Sequence, residues 1–238
     1  MCRLSNYSQT YRLCYRLFFC QFCSGQRVVF ASHFKLKFML QIGITGGIGV
    51  GKSTVCRIFE TFGISVYDAD FFAKYLMNND PNLKAAVIQA FGYESYTDDG
   101  QLNRPYLARL AFSDAQKTQQ LNEIVHPHVF GHYKKWLTEQ KSAYILKEAA
   151  LMYESGSWTM LDKIVVVTAP VEVRVARIQH RDPQRSATEI QNIMAKQMPE
   201  EEKIARADYV IYNDEHAPLL PQVEKLHKMW LEMSADYA

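Results

Sequence analysis

Cysteine is nearly missing from most of this chain. Of the five cysteines in 238 residues, Cys2, Cys14, Cys20 and Cys23 fall within the first 38, and only Cys56 lies beyond them. A body with one cysteine cannot be stapled by internal disulfides. It reads as a protein of a reducing, cytoplasmic compartment. Long apolar runs are missing too. The stretch around Leu17 to Phe22 is far short of the ~20 residues that a membrane-spanning helix needs, so no membrane partner is expected. Acidic residues are missing from residues 1–38, which carry Arg3, Arg12, Arg16, Arg27, Lys35 and Lys37. That segment is +6 while the whole chain is +2, so the remainder carries −4. A mildly acidic body offers no electrostatic footprint for nucleic acid. Two further motifs are absent. There is no N-K-x-D sequence to read a guanine base, and the apolar run KIVVVTA at 163–169 ends without an acid. Both absences weigh against a switch GTPase or ATPase.

Residues 1–38 allow two readings. An Arg-rich, acid-free composition suits a targeting peptide. Alternatively the segment is a non-core extension, with Met39 the natural start. The second is favoured, because Met39 directly precedes the first strand pattern and the leader shows no amphipathic period. Cys20 and Cys23 have the C-x-x-C spacing of a metal or redox site, but no second pair or histidine cluster accompanies them.

From Met39 the pattern alternates strand and helix. The strand candidates are MLQIGIT (39–45), ISVYDAD (64–70), SAYILKEAA (142–150), KIVVVTA (163–169) and DYVIYND (208–214). Strands alternating with helical patterns predict an α/β fold, a five-stranded parallel sheet with helices on both faces. Residues 71–140 hold only helical patterns and are too long for a simple crossover, so they read as an insertion. The segment 171–205 is charged and helical, and 216–235 reads as a closing helix.

The sequence GGIGVGKST (46–54) carries the chemistry. It fits G-x-x-x-x-G-K-[ST] through Gly46, Gly51, Lys52 and Ser53, after a strand and opening a helix. Gly46, Gly47, Gly49 and Gly51 let backbone N–H groups approach a phosphate. With Val50 and Thr54 they build an anion cradle at a helix N-terminus. Lys52 can reach the β- and γ-phosphates of ATP, and the Ser53 hydroxyl can bind Mg²⁺.

A phosphate loop alone does not say what happens to the phosphate. The second strand ends in Asp68 and Asp70, and the carboxyl ends of parallel strands face the ligand crevice. Strand alternation puts both on one side if the strand persists that far. One carboxylate could take a proton from an attacking hydroxyl, the other could organise Mg²⁺-bound water. The bland alternative is a capping aspartate before a helix. Arg174, Arg177, Arg181 and Arg185 follow the fourth strand. They are either phosphate-binding forks or a solvated face paired with Glu172 and Asp182.

These stretches, together with DGQLNRPYLARLAF (99–112), LNEIVHPHV (121–129), ALMYE (150–154), RxxxRD (177–182) and ADYVIYND (207–214), occur in the order found in dephospho-CoA kinases. The chain resembles that family over nearly all of residues 40–230. Two departures stand out. Ala150 occupies a position where the family usually has proline, and Glu148 one where aspartate is frequent. The resemblance implies a phosphate-loop kinase domain over 39–238, with a helical substrate-binding insertion at about 71–140 and an arginine-bearing lid at about 171–205. It implies transfer of the γ-phosphate of ATP to the ribose 3′-hydroxyl of dephospho-CoA, the last step of coenzyme A synthesis. It makes Asp70 the general base, Arg177 and Arg181 lid residues, and Arg104 and His126 substrate-domain residues beside Asp68. Asn213 falls near the adenine of ATP. His126 has a structural alternative, a bond to a backbone carbonyl that fixes a helix start before Pro127. Nothing in the sequence sets the oligomeric state.

Overall fold

The computed structural model describes residues 39–235 and residue 237. Both readings of residues 1–38, and the Cys20–Cys23 spacing, lie outside the described residues.

Five strands form one all-parallel sheet: β1 (Leu40–Thr45), β2 (Ser65–Asp68), β3 (Tyr144–Glu148), β4 (Lys163–Thr168) and β5 (Tyr209–Tyr212). Their spatial order is β2-β3-β1-β4-β5. All five strand candidates are present, each trimmed by one or two residues at its ends. The central strands show no polar alternation, because both faces of the sheet are covered. Every residue of β3 is buried, as is every residue of β1 except Gln41.

One face packs on α1 (Lys52–Thr61) and α9 (Leu219–Ala235). Val55, Cys56 and Phe59 of α1, and Val223, Leu226 and Trp230 of α9, recur at helical spacing and are buried. They meet Ile42, Ile44, Val165 and Val167 from the sheet, and Phe59 stacks on Trp230 at 5.3 Å between ring centroids. Side chains of the opposite parity serve the other face. Ile164 and Val166 pack on Met152 and Tyr153, while Tyr67 and Ile145 pack on Tyr133.

Between β2 and β3 run four helices: α2 (Ala69–Asn79), α3 (Pro81–Phe91), α4 (Arg104–Ser113) and α5 (Ala115–Thr138). They share a small core of Leu76, Leu83, Val87, Phe91, Leu107 and Val125. Their starts are written locally. Asp80 caps α3 ahead of Pro81, Asn103 caps α4 ahead of Pro105, and Asp114 caps α5. Each such side chain satisfies N–H groups the helix leaves open and contributes about 1 kcal/mol. Between β4 and β5 lie α6 (Val171–Arg181), α7 (Ala187–Ala195) and α8 (Glu200–Arg206). No helix among the described residues is long and apolar enough to cross a membrane.

Candidate active site

The turn from β1 into α1 is the GGIGVGKST segment. Gly46 has φ 148°, and a Cβ there would stand 2.2 Å from the Val167 carbonyl oxygen of β4. Gly51 sits at φ 89°, ψ 31° as the residue before α1, a left-handed conformation that suits glycine. Lys52 opens the helix and folds back over the loop, its Nζ donating to Gly46 O at 3.1 Å and Gly47 O at 3.3 Å. Burial lowers its pKa, while Glu148 and then Asp70 oppose that shift. Val50 is fully buried, so only its backbone can serve a ligand. Thr54 is exposed on the first turn of α1.

The carboxylates arrive by different routes. The β2 strand ends at Asp68, so Asp70 does not share its face by strand alternation, as the sequence reading allowed. Asp70 lies in the first turn of α2 instead. Asp68 caps that helix, its Oδ1 accepting from Phe71 N at 2.8 Å. Asp70 Oδ2 accepts from Ala150 N at 3.2 Å. The strand-to-helix turn nevertheless brings both onto one cavity of about 880 Å³, with Gly49, Lys52, Ser53 and Arg181. Although Asp70 opens onto that cavity, desolvation by the surrounding protein raises its pKa, with the Ala150 N–H and Lys52 pulling the other way.

Glu148 belongs to the same cavity and was read from the sequence only as a departure from a family pattern. It ends β3 in register with Ile44 of β1 and Asp68 of β2. Its Oε1 accepts from the Ser53 hydroxyl at 3.3 Å. It is buried, which raises its pKa, while Lys52 favours the charged form. The available signal was its place at the carboxyl end of a strand beside β1.

The arginines separate. Arg181 lines the cavity with Lys52 and Asp70. Arg177 is not among its lining residues. It donates to Asn213 O at 3.2 Å, Asn213 Oδ1 at 3.3 Å and Glu215 Oε1 at 3.4 Å. Asn213 in turn donates from Nδ2 to Val50 O at 2.8 Å, tying the end of β5 to the phosphate loop. Arg174 is buried under the loop, where it donates to Ile48 O at 3.0 Å and pairs with Glu200. Gln197 Oε1 accepts from Ile48 N at 2.9 Å, so both sides of that peptide are held from the 171–205 segment.

A second cavity of about 460 Å³ lies between α2, α5 and the segment after β3. Asp70 and Leu151 line both cavities. His126 lines the second, with its pKa lowered by burial and by Lys147. The helix-start reading of His126 fails. The α5 helix runs unbroken through Pro127, so His126 sits mid-helix. Arg104 is exposed on the first turn of α4 and lines neither cavity.

The residues present fit both nucleotide and metal. The loop offers backbone N–H groups, a lysine and close approach. Ser53, Asp68, Asp70 and Glu148 offer only hard oxygen donors. No group of three or more acid, histidine or cysteine side chains among the described residues could hold a metal ion by itself. That suits Mg²⁺, which keeps waters and binds through one or two protein oxygens and the phosphates of a substrate.

The family model and the curated relatives agree. A family model described as dephospho-CoA kinase matches residues 40–218. A dephospho-CoA kinase of Salinibacter ruber is 40% identical over 179 residues, covering 74% of this chain and 89% of that protein. One of Bacteroides fragilis is 38% identical over 188 residues, covering 79% and 91%. Among solved structures, TT1252 of Thermus thermophilus superposes with a TM-score of 0.71 at 33% identity, covering 82% of this chain and 97% of that one. A dephospho-CoA kinase of Campylobacter jejuni shares the fold with a TM-score of 0.59 at 23% identity, covering 83% and 98%. With a phosphate loop on one of two cavities that share Asp70 and Leu151, and a family model matched over three quarters of its length, this chain belongs to the dephospho-CoA kinase family.

Proposed function

We propose that the chain transfers the γ-phosphate of ATP to the ribose 3′-hydroxyl of dephospho-CoA, giving coenzyme A and ADP. The observation that carries the reading is Asp70 on the shared edge of the two cavities. A donor nucleotide held by the loop and an acceptor in the second cavity would meet there.

Each residue then has a task. The loop N–H groups and Lys52 hold the β- and γ-phosphates. Asp70 accepts the proton of the attacking hydroxyl as the new O–P bond forms and the bond to the β,γ-bridging oxygen breaks. Its raised pKa brings it nearer the working pH of a general base. Arg181 meets negative charge on the transferred group. Arg177 and Asn213 brace the loop on the adenine side. Ser53 and the carboxylates of Asp68 and Glu148 would hold Mg²⁺, directly or through water, and the ion would neutralise phosphate charge. Residues 71–140 are read as the acceptor-binding insertion and 171–205 as the lid. A cytoplasmic setting suits a body whose Cys56 is free and buried.

The test is product identification after incubation with ATP, Mg²⁺ and dephospho-CoA, beside parallel reactions offering AMP, CMP and adenosine. Phosphorylated dephospho-CoA as the preferred product is the expected result. Preference for another acceptor would overturn the reading, and ATP hydrolysis without any acceptor would make the chain a switch protein.

A further inference from the structure

Lys147 faces away from the phosphate loop. It precedes Glu148 on β3, and strand alternation sends consecutive side chains to opposite faces of the sheet. Glu148 meets Ser53, whereas the Lys147 ammonium lies 4.6 Å from the ring centroid of Tyr133 on α5. It lines the second cavity with His126 and Asp70. The residue is only 4% exposed. Among the described residues the Lys147 ammonium has no hydrogen-bond or ion-pair partner, and the face of Tyr133 is its one favourable electrostatic contact. A largely buried side chain whose ammonium has no protein anion beside it is costly to hold charged. Such a group inside a ligand-sized cavity is prepared for an anion that arrives with the ligand.

The acceptor of the proposed reaction carries negative charge in one place, the diphosphate between its adenosine and pantetheine parts. We propose that Lys147 binds an oxygen of that diphosphate while the acceptor ribose lies at Asp70. Lys147 thereby selects acceptors bearing a 5′-phosphate over bare nucleosides. This rests on the reading of the chain as a dephospho-CoA kinase and adds to it a specificity-determining side chain.

The test is equilibrium binding of dephospho-CoA and of adenosine to the full chain and to Lys147→Met, which keeps the length and apolar volume of the stem. A charge-assisted hydrogen bond lost to an apolar group predicts dephospho-CoA binding weakened about 10–100-fold. Adenosine binding should change by less than about threefold, and thermal stability should hold, since a buried charge exchanged for an apolar group is often neutral or stabilising. Should Lys147→Met lose cooperative melting, Lys147→Gln is read in the same way. Dephospho-CoA bound within about threefold of wild type would overturn the proposal, as would an equal loss for adenosine. Wild-type protein that fails to phosphorylate dephospho-CoA would instead sink the functional reading, whatever the variant does.

Discussion

The Ser53 hydroxyl donates to Glu148 Oε1 across 3.3 Å, joining the first turn of α1 to the end of β3. The same carboxylate is the leading charge that offsets the desolvation of Lys52. Glu148 therefore ties the proposed metal-binding hydroxyl to the cation expected on the phosphates. Glu148→Gln keeps the shape and removes the charge. Hydrogen bonds to charged groups are worth about 1.5–3 kcal/mol, so kcat should fall roughly 10–100-fold. The Mg²⁺ concentration giving half-maximal rate should rise. A Mg²⁺ titration of the variant that overlays wild type would remove Glu148 from the metal site.

Asp70→Asn removes the proposed base and preserves the contact to Ala150 N through its amide oxygen. General-base help is typically worth about 10²–10⁴-fold, and the loose transition state of phosphoryl transfer favours the low end. The expected result is a kcat loss of about a hundredfold with ATP binding little changed. A loss of less than about threefold would move suspicion to Asp68.

The pH profile gives an independent check. Burial raises the pKa values of both Asp70 and Glu148. A base with a raised pKa is protonated, and lost, at a higher pH than an ordinary carboxylate. The rate should therefore fall on acidification before the usual carboxylate range is reached. Asp70→Asn should flatten that acid limb, at least in part. An acid limb identical in wild type and variant would assign it elsewhere.

Arg177 and Arg181 should part company, because only Arg181 lines the cavity holding Lys52 and Asp70. Arg181→Ala should lower kcat by about a hundredfold with little change in ATP affinity, the pattern of a charge met in the transition state. Arg177→Ala releases Asn213 and should raise the KM for ATP about tenfold, with kcat less affected. Identical kinetics for the two variants would contradict the division.

Gly47→Ala tests the floor of the loop. Its Cβ would come 2.3 Å from Nη2 of Arg174. That guanidinium cannot easily yield, being fixed by Ile48 O and Glu200. Overpacking of this kind costs roughly 1–3 kcal/mol, readable as a lowered Tm. Thermal melts superposing on wild type would show that the loop relaxes.

The sheet was legible because its signals are local. Apolar runs bounded by glycine, and a phosphate loop between strand and helix, mark β1 and α1 without reference to distant residues. Asp68 and Asp70 were legible as a carboxylate pair at the end of the second strand, though not in geometry, since that strand stops two residues before Asp70. Gln197 reaches Ile48 across 149 residues of sequence, and no pattern around either residue announces the contact. Lys147 looks like a polar interruption of a strand until α5 and the segment after β3 close over it. The helix-start alternative for His126 came from Pro127, whereas α5 carries the proline within its length.

The strand order has a consequence for how the chain is made. Among the described residues β1 pairs only with β3 and β4, and β2 pairs only with β3. No ladder can close until Tyr144 and its neighbours have left the ribosome, about a hundred residues after β1. Until then both edges of an apolar strand stand open, and such edges invite pairing between chains. Contacts so remote in sequence also slow folding. The helices α2 to α5 form their own small core in that interval, so they can condense before the sheet does. The nascent chain thus waits on β3, the strand that later presents Lys147 to one face and Glu148 to the other.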